Sequence, residues 1–286
     1  MSLSALTFRI TASVNDYLRD RKIPLPPGVV CHRGIAYHGG RKLDVYYPED
    51  TRSRLPTIVS IHGGGYVYGS KEIYRRYGME LARHGFAFVN FNYRLAPKWR
   101  FPAPLEDTNA VMGWLCQNGE KYHLDPDRVI LVGDSAGAQL ASQYAAIVQN
   151  PAYAANFAFR VPPVTIRALG LNCGMYDLAA QARAPRQGIY ADYLGGISPD
   201  DPRLRVLDAI GDSYPPAFLA TACHDFLREN AGPMYEFLRA KGVPAVVRCY
   251  GSEARKEVAH VFHVNIRLPE AVECNDEECA FFQKYV

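Results

Sequence analysis

The sequence predicts an α/β fold in which a mostly parallel, eight-stranded sheet carries helices on both faces. Strand-like and helix-like segments alternate along most of the 286 residues, which is the pattern of repeated βαβ units. The later strand-like segments are continuous apolar runs, as expected of parallel strands that are buried on both faces. Apolar residues make up 48% of the chain, enough for a large core.

Eight segments are predicted as strands. The first two, VVCHRGIAY and KLDVYYP, alternate apolar and polar residues and are separated only by HGGR, so we expect an antiparallel hairpin. The six that follow are TIVSIH, FAFVNFN, RVILVG, RALGLN, PAFLATA and AVVRCY. The last of them is expected at an edge of the sheet, where a second copy of the chain can pair with it.

Four segments between the strands have helical periodicity and end near a glycine: SKEIYRRYGMELARHG, APLEDTNAVMGWLCQNG, SAGAQLASQYAAIVQ and RENAGPMYEFLRAKG. Two regions do not follow the alternation. Residues 1–28 suggest an amphipathic helix followed by PLPPG, and residues 173–214 are punctuated by proline and glycine. We expect residues 1–286 to form a single domain in which these two regions pack as a small helical cap over the carboxyl edge of the sheet.

Composition argues against several classes of protein. The net charge of +3 is small and the basic residues are scattered, so no nucleic-acid partner is expected. The seven cysteines show neither CxxC pairs nor the spacing of zinc ligands, which favours free thiols in a reducing compartment. No segment has the length and apolar character of a membrane span, and the N-terminus lacks the pattern of a signal peptide. We therefore expect a cytoplasmic protein.

The segment RVILVGDSAGAQLASQYAA contains a nucleophile motif. Gly133, Ser135 and Gly137 form G-x-S-x-G between a predicted strand and a predicted helix. In that setting the serine sits on a sharp turn above the sheet, and the flanking small residues let strand and helix approach. Ser135 is therefore predicted as a nucleophile; the alternative is an ordinary turn in which Ser135 caps the helix. Asp134, inside the motif, is expected to face solvent.

A serine nucleophile needs a base that a carboxylate orients. In folds with this motif the acid follows a later strand and the histidine follows the last one. Asp225 comes just after the seventh predicted strand, and both His260 and His263 follow the eighth. His260 is preferred because it comes first after the charged loop. Asp225 is preferred to Glu229, which is expected to be a solvated carboxylate of the next helix.

The sequence HGGG, from His62 to Gly65, follows the third predicted strand. Attack on an ester or amide carbonyl creates an oxyanion, which needs preorganised N–H donors. Gly64 and Gly65 are the preferred donors, and Gly63 is expected to shape the turn. The amide of Ala136, directly after the nucleophile, adds another donor. A phosphate-binding loop is disfavoured, because the order here is Gly-Ser-Lys rather than Gly-Lys-Ser.

Five motifs occur in register: HGGGYVYGS, NYRLAPKWRFPAPLED, GDSAG, HDFLRE and HVF. With them the chain resembles the hormone-sensitive-lipase-like branch of the α/β-hydrolase superfamily over roughly residues 30–270. The resemblance implies the α/β-hydrolase fold and a serine esterase or lipase acting on small to medium acyl esters. It also implies that no metal or organic cofactor takes part.

Carried over by position, Ser135, Asp225 and His260 resemble the family's catalytic triad, and the HGGG segment resembles its oxyanion loop. Arg94 and Asp107 are expected to tie loops together near the site. The sequence also departs from the family. Val261 stands where HVF-type motifs usually have glycine, and a β-branched residue resists positive φ.

We predict a carboxylic ester hydrolase for small-molecule esters with short- to medium-chain acyl groups. Ser135 would form an acyl-enzyme, with His260 moving the proton and Asp225 holding the imidazole. One alternative is an amidase or peptidase on the same scaffold, although the glycine triplet resembles esterases more. Another is a non-catalytic module that binds a small ligand; the presence of all three triad residues in order disfavours it.

Overall fold

The computed structural model describes residues 2–21, 23–184 and 187–286. Within these ranges a single sheet of eight strands forms the centre of the molecule. The strands are β1 (Val29–His38), β2 (Arg41–Pro48), β3 (Leu55–Ile61), β4 (Ala87–Phe91), β5 (Leu124–Asp134), β6 (Ile166–Asn172), β7 (Ala217–Ala222) and β8 (Ala245–Tyr250).

The strand order is β1-β2-β4-β3-β5-β6-β7-β8. β1 and β2 form the antiparallel hairpin, β2 is antiparallel to β4, and every pairing from β4 through β3 to β8 is parallel. The predicted eight-stranded, mostly parallel sheet is therefore confirmed. β8 lies at one edge, as its position at the end of the strand series suggested.

Nine helices surround the sheet in the described part of the chain. They are α1 (Leu3–Asp20), α2 (Arg75–Ala82), α3 (Ala103–Tyr122), α4 (Ala136–Gln149), α5 (Pro151–Ala154), α6 (Leu178–Arg183), α7 (Gly188–Leu194), α8 (Ala231–Ala240) and α9 (Pro269–Phe282). No helix in the described ranges combines the length and the apolar character that crossing a bilayer requires.

The strands bury side chains on both faces because successive residues point in opposite directions. Val59 and Leu131 belong to a core cluster that includes residues of α3, α4 and α8. Ile58 and Ile130, one position earlier, belong to a second cluster that includes residues of α2 and α9. Continuous apolar runs in β3 and β5 thus supply two cores, which explains why these strands do not alternate with polar residues.

Two regions outside the βα alternation meet each other at one end of the molecule. α1 contacts α7, and the backbone N–H and hydroxyl of Ser2 donate to the Asp192 carboxylate at 2.9 and 2.8 Å. The predicted cap segments 1–28 and 173–214 also include Met1, Lys22, Pro185 and Arg186, which lie outside the described residues.

Candidate active site

The carboxyl ends of the parallel strands surround a cavity of about 410 Å³. Its wall includes Ser135, His260, Gly63 and Gly64, which come from three separate parts of the chain. The volume falls within the range of small-molecule sites, which typically measure about 300–1,000 Å³. The structure therefore brings the predicted nucleophile, the preferred histidine and part of the predicted oxyanion loop to one place.

Ser135 sits on a strained turn between β5 and α4. Its backbone has φ of +53° and ψ of −117°, and its N–H donates to the carbonyl of Asn172 at 2.9 Å. A Cβ on Gly137 would overlap the carbonyl of Ile61, so α4 packs against β3 only because glycine stands there. The Ser135 side chain makes no capping bond to α4, unlike the ordinary capped turn that was the alternative. The strained backbone at Ser135 is instead combined with a side chain that faces the cavity.

Asp225 follows β7 and is in direct contact with His260. The Nδ1–H of His260 donates to Asp225 Oδ1 at 2.6 Å. Asp225 also accepts bonds from the Thr221 hydroxyl at 2.8 Å and the Leu227 N–H at 2.9 Å. Burial opposes ionisation of Asp225, but the hydrogen bond and charge of His260, with these two donors, outweigh it and lower the pKa of the carboxyl. The arrangement holds an ionised acid against the histidine.

The second candidates for the base and the acid, His263 and Glu229, lie outside the cavity wall. His263 is buried against Tyr77, and its Nδ1 has no hydrogen-bond partner among the described residues. Burial lowers the pKa of His263 to about 3, so the ring is neutral. Glu229 is exposed and pairs with Arg228 at 3.4 Å, as a solvated carboxylate would. Neither side chain lines the cavity.

A hydrogen-bonded chain holds the glycine loop after β3. The Gly63 N–H donates to the Tyr74 hydroxyl at 3.0 Å, which in turn donates to Asp134 Oδ2 at 2.8 Å. Asp134 was expected to face solvent, and that expectation was wrong: the residue is 2% exposed. Burial raises its pKa to about 7, with the Tyr74 bond acting in the opposite direction. The carboxyl is turned inward because Tyr74, from a distant helical turn, provides its partner.

The predicted oxyanion donors differ in their positions. Gly64 lies at the cavity wall with φ of +108°, and a Cβ there would overlap the Tyr68 carbonyl. Gly65 is the next residue of the loop, with φ of +57°, and a Cβ there would come within 2.8 Å of Ile189. Ala136 is the first residue of α4, and the first N–H groups of a helix have no partner within the helix. Gly63 lines the cavity, but its N–H is already engaged by Tyr74.

His62, which opens the HGGG segment, is fully buried. Its Nδ1–H donates to the Gly63 carbonyl at 2.8 Å, and its ring stacks on Tyr93 with the centroids 4.0 Å apart. The Tyr93 hydroxyl donates to the His62 carbonyl at 2.9 Å. Burial lowers the pKa of His62 to about 4, so this histidine is neutral at physiological pH and braces the glycine turn.

Comparison with known proteins agrees with this geometry. A sequence model described as "alpha/beta hydrolase fold" matches residues 58–264. The chain belongs to this family. The resemblance that the five motifs predicted, and the α/β-hydrolase fold, are thereby confirmed.

Individual relatives extend the comparison. A carboxylesterase, NlhH, of Mycobacterium tuberculosis is 30% identical over 248 residues, covering 79% of this chain and 75% of its own. Esterase B from Lactobacillus rhamnosis, solved with a tributyrin phosphonate inhibitor, has a TM-score of 0.86 at 26% identity over 98% of this chain and 93% of that one. A hyperthermophilic esterase from Pyrobaculum calidifontis has a TM-score of 0.77 at 26% identity, and the match covers 99% of this chain and 92% of that one.

One further expectation from the α/β-hydrolase family concerned the loop YRLAP. The Arg94 N–H and Nε donate to Asp107 at 2.7 and 3.0 Å, and the Asp107 side chain is almost fully buried. The guanidinium also donates to Glu106 at 2.6 Å. These bonds tie the loop after β4 to the first two turns of α3, as expected.

Two residues support the histidine, and sequence reasoning identified only the first of them as unusual. Val261 adopts φ of +62° and ψ of +28°, the left-handed conformation that valine disfavours. Its N–H donates to the buried Cys173 Sγ at 3.4 Å. Ligand atoms of Cys173, Asp225 and His260 lie within 4.8 Å of one another, a donor set of the kind that can hold a metal ion. The presence of valine where related motifs usually have glycine was a signal of unusual backbone at position 261. Nothing in the sequence pointed to Cys173.

Proposed function

We propose that the protein hydrolyses carboxylic esters with short- to medium-chain acyl groups through an acyl-enzyme on Ser135. The observation that carries this proposal is that Ser135 shares a cavity with His260, whose Nδ1 lies 2.6 Å from a buried carboxylate. The M. tuberculosis relative is a carboxylesterase, and the L. rhamnosis esterase was solved with a tributyrin phosphonate inhibitor. Both support an ester hydrolase rather than an amidase or a binding module.

In the mechanism that we propose, each step is assigned to one of these residues. The Ser135 hydroxyl attacks the acyl carbon while His260 Nε2 takes its proton, and Asp225 stabilises the imidazolium. The N–H groups of Gly64, Gly65 and Ala136 donate to the oxyanion, with Gly63 holding the turn. His260 then returns the proton to the leaving alcohol oxygen. Water, activated by the same histidine, hydrolyses the acyl-enzyme and releases the acid.

We also propose that the N-terminal segment and the segment after β6 act as a cap on a single-domain chain. α1 supplies Phe8 and Ala12 to the cavity wall, so the helix lies at the site. Ser2 at its start is hydrogen-bonded to Asp192 of α7, which joins the two segments. Such a cap would limit the size of the ester that enters.

A cytoplasmic location and a homodimer through β8 complete the proposal. The seven cysteines are all free, and Cys223 and Cys249 are joined by a thiol hydrogen bond of 3.9 Å rather than by a disulfide, as suits a reducing compartment. β8 is an edge strand with intermediate to exposed residues along most of its length, so its backbone can pair with a second copy. Light scattering of the purified protein measures the oligomeric state.

The first experiment compares hydrolysis of p-nitrophenyl esters, from acetate to decanoate, by the wild type and Ser135→Ala. We expect the wild type to be active and kcat/KM to decline with acyl length. Ser135→Ala should lose about 10⁵-fold or more in kcat, because the acyl-enzyme cannot form. Ser53→Ala, on an exposed loop away from the cavity, is the matched control and should retain full activity.

A phosphonate ester adds a test that does not depend on turnover. Mass spectrometry after incubation should find the phosphonyl group on the peptide containing Ser135, and on no other serine. Turnover of p-nitroanilides exceeding that of the matching esters would favour the amidase alternative. A folded wild type that hydrolyses no ester and does not react with the phosphonate would favour an amidase of narrow specificity if it hydrolyses an anilide, and the binding module if it does not.

A further inference from the structure

Phe226 follows the predicted acid and covers one side of the predicted base. Its ring centroid lies 4.1 Å from that of His260, with an angle of 42° between the planes. The Phe226 side chain is 73% exposed, yet it lines the same cavity as Ser135. Phe226 shares this wall with the apolar residues Phe8, Phe262 and Leu268, and a concave wall lined by apolar and aromatic side chains is typical of a small-molecule site.

The chemistry of ester hydrolysis decides which half of the substrate reaches this ring. His260 Nε2 must give its proton to the oxygen of the leaving alcohol, so the alcohol group lies beside the imidazole. The oxyanion lies instead at the glycine amides. The cavity wall that adjoins His260 includes Phe226, Glu257 and Val261. This wall therefore contacts the alcohol half of the ester rather than the acyl half.

The geometry points to Phe226 as a specificity-determining residue that selects esters of aryl or arylalkyl alcohols. The inference rests on the proposed ester hydrolysis and names the class of alcohol it accepts. An exposed ring can stack edge-to-face or offset against an aromatic alcohol, which favours that alcohol about two- to tenfold beyond its area burial. A short alkyl alcohol gains no such contact.

The surroundings of the ring favour an uncharged alcohol. Glu257 at the same wall is a carboxylate paired with Arg255 at 3.2 Å, and Asp16 of α1 also lines the cavity. Asp16 is likewise paired with Arg19, at 2.7 Å, and Arg19 lines the same cavity, so these ion pairs present no net charge that would favour a charged alcohol. Phe8 of α1 adds a second aromatic ring to the cavity wall, in edge contact with Tyr68 at 6.2 Å between centroids. An uncharged aromatic alcohol thus meets apolar rings in this cavity.

The test measures kcat/KM for benzyl acetate and propyl acetate, whose alcohols have similar acidity, in the wild type and in Phe226→Leu. We expect the wild type to prefer benzyl acetate, and the benzyl-to-propyl ratio to fall about two- to tenfold in the variant. Phe226→Tyr keeps the ring and should keep the ratio. Trp99→Leu, which removes an exposed aromatic side chain from a separate cavity, should leave the ratio unchanged.

Comparing propyl acetate with propyl butyrate separates the two halves of the substrate. The acyl preference should be the same in the wild type and in Phe226→Leu. An unchanged benzyl-to-propyl ratio, or a change in acyl preference instead, would overturn the assignment of Phe226 to the alcohol. Failure of the proposed function has a different signature: the wild type would then hydrolyse neither these acetates nor the p-nitrophenyl esters.

Discussion

Two loops flank Ser135, and they are held in place by different means. The oxyanion loop, residues 62–69, is fixed by side chains that hydrogen-bond to its buried backbone, among them Tyr74 and Tyr93. The histidine loop, residues 251–264, is held mainly by short backbone turns, such as the Phe262 N–H to the Ala259 carbonyl at 3.1 Å.

The comparison indicates where stability and activity are coupled. Changes in the oxyanion loop leave buried polar groups without partners, so they should lower both the free energy of unfolding and kcat. Changes in the histidine loop should affect catalysis much more than folding, because residues 251–257 of this loop are mostly exposed. Five predictions test this division, from the largest expected effect to the smallest.

Among these five, the largest effect is expected for Asp225→Asn. An amide cannot stabilise the imidazolium or hold the required tautomer of His260, so kcat should fall about 10³- to 10⁴-fold. Steady-state kinetics with p-nitrophenyl acetate measure it. Glu229→Gln is the matched control and should stay within about twofold of the wild type, since an exposed pair contributes little. A large loss in Glu229→Gln with an active Asp225→Asn would reverse the assignment of the acid.

Gly64→Ala should lower kcat about 10²- to 10³-fold, the typical loss when an oxyanion donor is displaced. The added Cβ would overlap the Tyr68 carbonyl at a residue with φ of +108°. Gly85→Ala is the control for backbone strain alone, because Gly85 has φ of +90° and open space around its Cβ. It should lose stability and keep its kcat. Equal losses of kcat in both variants would show that strain, not the donor, explains the result.

Tyr74→Phe should lower both the free energy of unfolding and kcat. Removing the hydroxyl takes one hydrogen-bond partner from the Gly63 N–H and one from the buried Asp134 carboxyl, which costs about 1–3 kcal/mol of unfolding free energy. The loosened loop should also lower kcat, whereas KM should change little. Tyr77→Phe, also fully buried, removes only a bond to Glu278 and should lose stability without losing kcat. Urea unfolding and kinetics on both variants decide between a positioning role and a structural one.

The buried His62 should make the oxyanion loop sensitive to acid. Its pKa is about 4 in the folded protein and about 6.5 when unfolded, so between these values the unfolded chain binds more protons. The contribution of His62 to stability is therefore present above pH 6.5 and is lost as the pH falls towards 4. His62→Asn keeps a donor near the Nδ1 position but cannot titrate. Unfolding at pH 7 and pH 5 should show a shallower decline in the variant, by up to about 1.4 kcal/mol per pH unit.

The smallest effect concerns the strain at Val261. The free energy of unfolding should be about 1 kcal/mol higher for Val261→Gly than for Val261→Ala, because only glycine adopts φ of +62° without a steric cost. Alanine is the proper control, since both variants lose the same contacts beyond Cβ. Thermal unfolding measures the difference. If the alanine variant proves the more stable, the left-handed conformation is not strained in this loop.

Much of the architecture could be predicted from local patterns. Strand positions followed from apolar runs, and helices from the period of their apolar residues, because burial on one or two faces requires apolar side chains at a characteristic spacing. The order of serine, acid and histidine along the chain reduced the candidates to Ser135, to Asp225 or Glu229, and to His260 or His263, since parallel strands bring their carboxyl ends to one edge. The structure then placed Asp225 and His260 in contact at 2.6 Å.

Other features depend on contacts between distant segments. Asp134 appeared to be an ordinary turn residue, but Tyr74, 60 residues away, turns it into the interior. Cys173 meets Val261 across 88 residues. The amphipathic pattern of α1 predicted a helix but not the cavity that it lines. Local propensity and pattern specify which segments form strands and helices, whereas the partners of a buried polar group arise only when the chain has folded.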